Sequence, residues 1–197
     1  MIRYVFFMSI MLCTVLHGEL SAQPESNMEV INSLLDKSVD MIFPSVENSG
    51  ELLFEYNSPP QLKRFENRIV YALTGKGINV LKNKPSGLKL NYALDDVSVD
   101  FSEAFRESFL GGYKTERKIK ISGSFILYEN GKVSKGKYFN LLKADTLDYE
   151  NINDFNNGFV AEIEKPGIPF FDSLLEPVIA LGTVAVAIFL FFTVRSN

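Results

Sequence analysis

The chain has 197 residues, of which 46% are hydrophobic, 22% charged and 13% aromatic, and its formal net charge is −4. The high apolar content excludes a disordered chain, while 13 glycines and a single cysteine exclude a collagen-like repeat and a disulfide scaffold. The acidic balance also argues against a nucleic-acid partner, because phosphate binding needs a basic surface.

The N-terminus has the pattern of a secretory signal peptide. Arg3 is the only charge before an apolar run over 4–16, and small and polar residues follow up to Ala22. A run of this length spans only about 20 Å of helix, short of the ~30 Å hydrocarbon core of a bilayer. The sequence therefore predicts a signal peptide over 1–22, cleaved after Ala22.

The predicted signal peptide holds the only cysteine and the only histidine of the chain, Cys13 and His17. Cleavage leaves the mature chain without a thiolate nucleophile, a histidine base, a Ser-His-Asp triad or a zinc or haem site built on these residues. Cys13 lies inside the apolar run after Leu12, which is not where a lipid-modified cysteine lies. We expect no catalytic residue, no cofactor and no metal ligand.

Residues 23–173 are predicted to form one exported domain. A capping box, apolar residues at helical spacing and flanking Pro and Gly predict two helices. Alternating apolar residues predict strands between and after these helices. The helices cover 26–43 and 58–75, and the strands cover 51–56, 78–81, 88–101, 119–129 and 133–142. We expect the acidic stretch 144–164 to form a helical segment that covers the sheet.

Two local signals refine this pattern. The alternation slips at Asp95-Asp96, which predicts a β-bulge. Asn130-Gly131 lies between two alternating runs, which predicts a tight hairpin. The order of elements predicts an α+β fold, a two-layer sandwich with helices packed on a mixed four- to five-stranded sheet.

The stretch 75–80 reads Gly-Lys-Gly-Ile-Asn-Val and joins the second helix to a short strand, after which a meander begins. This layout resembles small envelope domains such as the TolB N-terminal domain and the CsgG type, in which a helix and a short G-x-x-V strand precede the meander. The resemblance covers roughly 50–142. It implies a location in the bacterial envelope and no activity.

The C-terminal end predicts a transmembrane helix. An uncharged apolar run over 178–194 follows Pro177, and the two leucines before it extend the helix to about 30 Å. We therefore predict a transmembrane helix over 174–194 and a cytoplasmic tail over 195–197. The domain would then be periplasmic and held at the inner membrane in a single pass, with the lipid bilayer as one partner.

Two groups of side chains are candidates for binding a partner. They are an aromatic loop with Phe105, Phe109, Leu110 and Tyr113, and a lysine stripe with Lys118, Lys120, Lys135 and Lys137. An exposed apolar loop typically marks a partner, and a basic stripe suits anionic headgroups or an acidic polymer. The alternatives are that the aromatic residues pack in the core and that the lysines protect a sheet edge.

Carboxylates could instead support hydrolysis or calcium binding. Asp36 and Asp40 lie one helical turn apart and Asp95-Asp96 lie at the bulge, while the acidic stretch after Asp145 fails the EF-hand spacing. We predict a non-enzymatic, membrane-anchored envelope protein whose periplasmic domain binds or scaffolds another envelope component. The alternatives are an exported carboxylate-dependent hydrolase and a lipid or glycan carrier.

The signal-peptide pattern makes a direct prediction about the mature chain. Because a small residue at position 22 precedes the polar Gln23-Pro24, we expect the purified protein to begin at Gln23. N-terminal sequencing measures this, and a chain that begins at Met1 or Ile2 would contradict cleavage.

Overall fold

The computed structural model describes residues 24–47, 50–82, 87–108, 111–155 and 165–194. The predicted signal peptide and the predicted tail over 195–197 lie outside these residues. The helices are α1 (Asn27–Ile42), α2 (Glu66–Gly75) and α3 (Phe170–Val194), and short 3₁₀ helices cover Phe43–Ser45, Pro60–Phe65 and Tyr149–Phe155. The strands are β1 (Glu51–Asn57), β2 (Asn79–Leu81), β3 (Leu88–Phe101), β4 (Phe105–Arg106), β5 (Tyr113–Glu129) and β6 (Lys132–Asp148).

The strands form one mixed sheet in the order β2-β1-β3-β5-β6, and the two-residue β4 pairs with β5 beyond the end of β3. β1 is parallel to both of its neighbours, while β3, β5 and β6 are antiparallel to one another. The predicted α+β fold with a mixed sheet is therefore confirmed, with one more strand than expected.

Helix α1 begins at the predicted capping box. Glu29 N–H donates to Ser26 Oγ at 3.3 Å, and Ser26 N–H donates to Glu29 Oε2 at 2.7 Å, so two backbone donors of the first turn are satisfied. The helix ends where Phe43 and Pro44 start a 3₁₀ turn. Its buried apolar side chains are Val30, Ile31, Leu34, Leu35, Val39 and Ile42.

The core lies between the sheet and the two helices α1 and α2. We call this side of the sheet the helix face and the other side the open face. Buried residues of the helix face include Leu52, Phe54, Leu90, Tyr92, Leu94, Ile119, Ile121, Phe125, Leu127 and Phe139. The hydroxyl groups of Tyr92 and Ser38 hydrogen-bond at 2.7 Å inside this core, and burial raises the pKa of Tyr92.

Both local signals in the strands are confirmed. The pairing of β3 with β5 shifts between Leu94 and Asp96, which is the predicted bulge. At the β5–β6 turn, Asn130 has φ 50° and Gly131 has φ 79°. Positive φ at both central residues is the type I′ geometry that matches the twist of a hairpin.

The predicted helical segment over 144–164 is wrong over 144–148, where the structure has a strand. β6 continues to Asp148, because β5 begins at Tyr113 and offers a pairing partner to the whole extension. A 3₁₀ helix over Tyr149–Phe155 follows and buries Ile152 and Phe155. Residues 156–164 lie outside the described part of the chain.

The predicted transmembrane helix is also corrected. Helix α3 covers Phe170–Val194, and its side chains are described over 177–193. Within the described residues, no helix has both the length and the apolar character that crossing a bilayer requires. The inner-membrane location stays a prediction.

Gly123 is expected to be essential to the packing of the sheet. A Cβ at this position would lie 2.6 Å from the Phe139 ring and closer still to the Ala93 carbonyl oxygen, and that backbone atom cannot rotate away. We expect Gly123→Ala to lower the free energy of unfolding by at least about 1–3 kcal/mol in denaturant melts. Gly136→Ala is the matched control, since its Cβ meets nothing nearer than 3.8 Å. Equal stability of the two variants would contradict this reading of the packing.

Candidate functional site

β6 is a long edge strand. Its 17 residues pair with β5 on one side, and no strand among the described residues pairs with the other side, which we call the outer edge. The opposite edge of the sheet is β2, which has only three residues. Proteins usually keep edge strands short or covered, because an edge offers a row of backbone donors and acceptors to another chain. β6 is therefore the candidate interaction site.

A buried arginine holds the far end of β6 in place. Arg117 of β5 is fully buried, and its Nε donates to Asp145 Oδ1 of β6 at 2.8 Å. Its two other nitrogens donate to Asn27 Oδ1 at 2.7 Å and to the Glu25 carbonyl oxygen at 2.8 Å. A second hydrogen bond joins it to Asp145 Oδ2. These contacts fix β6 against the start of α1.

The open face of β6 carries exposed apolar side chains. Tyr138 is 84% exposed and Leu142 is 59% exposed, and they lie opposite Ser124 and Lys120 of β5. Val133, nearer the turn, is 65% exposed. These three residues therefore place apolar surface beside the outer edge, on the open face of the sheet.

The helix face of β6 carries lysines. Lys135 and Lys137 pair with Leu127 and Phe125, whose side chains belong to the core, so both lysines lie on the helix side. Lys135 Nζ donates to Ser45 Oγ at 2.8 Å. Among the described residues, neither lysine has a carboxylate partner within ion-pair distance.

The register divides the predicted lysine stripe between the two faces. Lys118 and Lys120 pair with Ala144 and Leu142 and lie on the open face, whereas Lys135 and Lys137 lie on the helix face. Lys118 forms an ion pair with Glu116 at 3.0 Å. The four lysines are therefore not brought together.

The aromatic loop is described only in part. Phe105 lies in β4 and is 38% exposed. Tyr113 opens β5, with the Arg106 guanidinium 4.0 Å from its ring centroid and the Tyr149 ring edge-on at 6.4 Å. Phe109 and Leu110 lie outside the described residues. Of the two described residues, Phe105 is accessible and Tyr113 is packed.

The paired acids have structural contacts. Asp36 forms an ion pair with Arg68, and Asp40 forms one with Lys76 at 2.6 Å, so both tie α1 to the α2 region. Asp95 and Asp96 are exposed at the bulge. This arrangement does not place two carboxylates of either pair in a cleft.

A polar cavity of about 540 Å³ lies at the start of α1. Its lining residues are Pro24, Glu25, Ser26, Glu29, Asp148, Asn151, Asp154 and Phe155. Hydrogen bonds from the Ser26 backbone and then its side chain lower the pKa of Glu29. In the part of the chain that the structure describes, no His, Cys, Asp or Glu cluster has the geometry of a metal site.

Several residues of the β6 surface were not among the predicted site residues. They are Val133, Tyr138, Leu142 and Lys143. The predicted strand ended at 142, and its outer edge could not be recognised without knowing the strand order. A signal was present, since Tyr138 and Leu142 both occupy positions of the same alternation.

The buried ion pair makes a prediction about stability. Removing the Asp145 carboxylate leaves the fully buried Arg117 charge without its anionic partner, so we expect Asp145→Ala to cost about 3–5 kcal/mol of unfolding free energy. Asp148→Ala removes an exposed acid of the same strand and should change stability by less than about 0.5 kcal/mol. Denaturant melts compare the two, and a cost below about 1 kcal/mol for Asp145→Ala would contradict the role assigned to this pair.

No protein family matches this sequence, and a search of curated proteins finds no match. Among solved structures, a minor lipoprotein from Acinetobacter baumannii is similar over 66% of this chain and 87% of its own, with TM-score 0.37 and 11% identity. Rare lipoprotein B from Shewanella oneidensis is similar over 68% of this chain and 98% of its own, with TM-score 0.34 and 11% identity.

Both of these proteins are named as lipoproteins. At such low TM-scores and identities, the likeness carries no argument about location or activity. The resemblance to the TolB N-terminal domain and the CsgG type stays a prediction.

Proposed function

We propose that this chain is an exported, non-enzymatic binding domain of the cell envelope, which recruits another envelope component by strand addition to the outer edge of β6. The observation that carries the proposal is the length of that edge, with which no other strand of the described residues pairs. A segment in extended conformation can pair along the 17 residues of β6 and continue the sheet.

The physical basis of strand addition is the hydrogen-bonding capacity of the backbone at this edge. N–H and C=O groups of alternate β6 residues point away from β5, and strand addition pairs them with a second chain. Each such hydrogen bond adds only about 0.5–1.5 kcal/mol net, so side chains must supply part of the affinity. The exposed Tyr138 and Leu142 offer apolar area for that purpose.

Two further observations support the proposal. The signal-peptide pattern over 1–22 favours export, which supports an envelope partner. Asp36 and Asp40, one of the two acid pairs that a hydrolase could use, are held in ion pairs with Arg68 and Lys76. These contacts favour binding over turnover, because a catalytic carboxylate must face a substrate cleft.

Site-specific photo-crosslinking in cells tests the proposal. We expect a benzophenone side chain in place of Tyr138 to form an adduct with an envelope protein, because this residue flanks the outer edge. Tyr71 of α2 is the matched control: it is 69% exposed and lies away from β6, so it should give no such adduct. Absence of an adduct at Tyr138, or the same adduct at both positions, would contradict the proposal.

A proline scan shows whether the adduct depends on strand addition. The N–H groups of Lys143 and Ala144 point in opposite directions, so one of the two points outward. Proline at that position removes an outward N–H group and leaves the pairing with β5 intact. Of the two proline variants, the one with a nearly unchanged melting temperature is therefore the one at the outward position. We expect this variant to reduce the Tyr138 adduct about fivefold or more. Lys143→Ala is the control for loss of the lysine side chain.

A further inference from the structure

We infer that the segment recognised by β6 is an extended peptide in which acidic and apolar residues alternate, with its acidic side chains on the helix face and its apolar side chains on the open face. This inference rests on the proposed strand addition and names the chemistry of the partner. It follows from the different character of the two faces of the outer edge.

On the helix face, the part of the outer edge nearest the β5–β6 turn is basic. Lys135 and Lys137 are separated by one residue, so their side chains project on the same side of β6. Both are exposed, and among the described residues neither is neutralised by a carboxylate. A strand added to β6 would place alternate residues directly opposite these lysines, where acidic side chains are favoured over basic ones.

On the open face, the stretch that follows the two lysines carries exposed apolar side chains. These are Tyr138 and Leu142, and the exposed Asn140 lies between them in the alternation. Residues of an added strand that face this side lie about 4.5–5.5 Å from their opposite partners, within contact distance of an aromatic or branched side chain. The residues of the added strand that face Tyr138 and Leu142 would therefore be apolar.

Charge also argues against a second copy of this chain as the partner. Antiparallel pairing of two β6 strands would bring Lys135, Lys137 and Lys143 of each copy to the same seam. The one acid on that face of β6, Asp145, is already bonded to Arg117, and the Lys143 ammonium is bonded to Glu25. The lysines therefore oppose self-pairing while they favour an acidic strand.

Peptide titration of the full mature chain tests the inference. The probes are two blocked synthetic peptides, one of alternating valine and glutamate and one of alternating valine and lysine. We expect the glutamate peptide to bind more tightly, and the affinity to fall at high salt. Lys135→Gln with Lys137→Gln should weaken it about fivefold, a modest change because exposed charge pairs contribute little each. Lys118→Gln with Lys120→Gln, on the open face, is the matched control and should bind as the wild type does.

The other outcomes overturn the inference. Equal binding of both peptides, no saturable binding, or an equal loss in the control pair would each remove the acidic preference. If the chain dimerises, and the proline variant at 143 or 144 that keeps its melting temperature abolishes the dimer, the outer edge binds a second copy of this chain instead. An adduct at Tyr138 in cells without peptide selectivity would leave the proposed function standing and refute this inference alone. Peptide selectivity without any adduct would refute the proposed function.

Discussion

The buried guanidinium of Arg117 is the constraint on which the rest of this domain depends. A charge removed from water is costly unless it is paired and hydrogen-bonded, and Arg117 meets both conditions with Asp145, Asn27 and the Glu25 carbonyl oxygen. These partners come from β6, from the first turn of α1 and from the residues before it. The Phe155 ring, 5.6 Å from the guanidinium carbon, adds a contact from the 3₁₀ helix after β6. One side chain thus fixes three parts of the structure relative to β5.

Because β6 is held in this way, its outer edge is presented as a rigid strand. The alternation of a strand then separates the exposed side chains of β6, with Lys135 and Lys137 on the side of the helices and Tyr138 and Leu142 on the other. Rigidity matters for recognition of an extended segment, since only the incoming chain must then lose conformational entropy. The β2 edge has only three residues, so β6 is the longer edge of the sheet in the part of the chain that the structure describes.

The sequence predicted the features that a few neighbouring residues determine. Ser26 with Glu29 is sufficient for the helix start, and Asn130-Gly131 is sufficient for the turn, because each satisfies a local geometric requirement. The strand over 144–148 was missed, since it exists only because the first residues of β5 pair with it. The acidic, mixed pattern of that stretch indicated a helical segment covering the sheet instead.

The candidate site was predictable to a smaller extent, for a related reason. Arg117 stands among charged residues, although it alternates in phase with the buried Ile119 and Ile121, and only Asp145, 28 residues further along, makes the burial of its charge favourable. The division of the lysines between two faces depends on register, which a change of one residue reverses. Which strand lies at the edge depends on the order of all strands in the sheet. None of these properties is encoded within a short window of sequence.

The position of Arg117 also has a consequence for the order in which the domain folds. The β5–β6 hairpin closes over a two-residue turn, so it can form within microseconds. The bonds from Arg117 to Asn27 and to Glu25 instead connect residues 90 and 92 positions apart, and closing such long loops is slow. In a chain made N-terminus first, residues 25 and 27 therefore precede Arg117 by about 90 positions. The guanidinium can leave water at low cost only when the start of α1 and β6 are both in place, because its buried hydrogen bonds need partners from both.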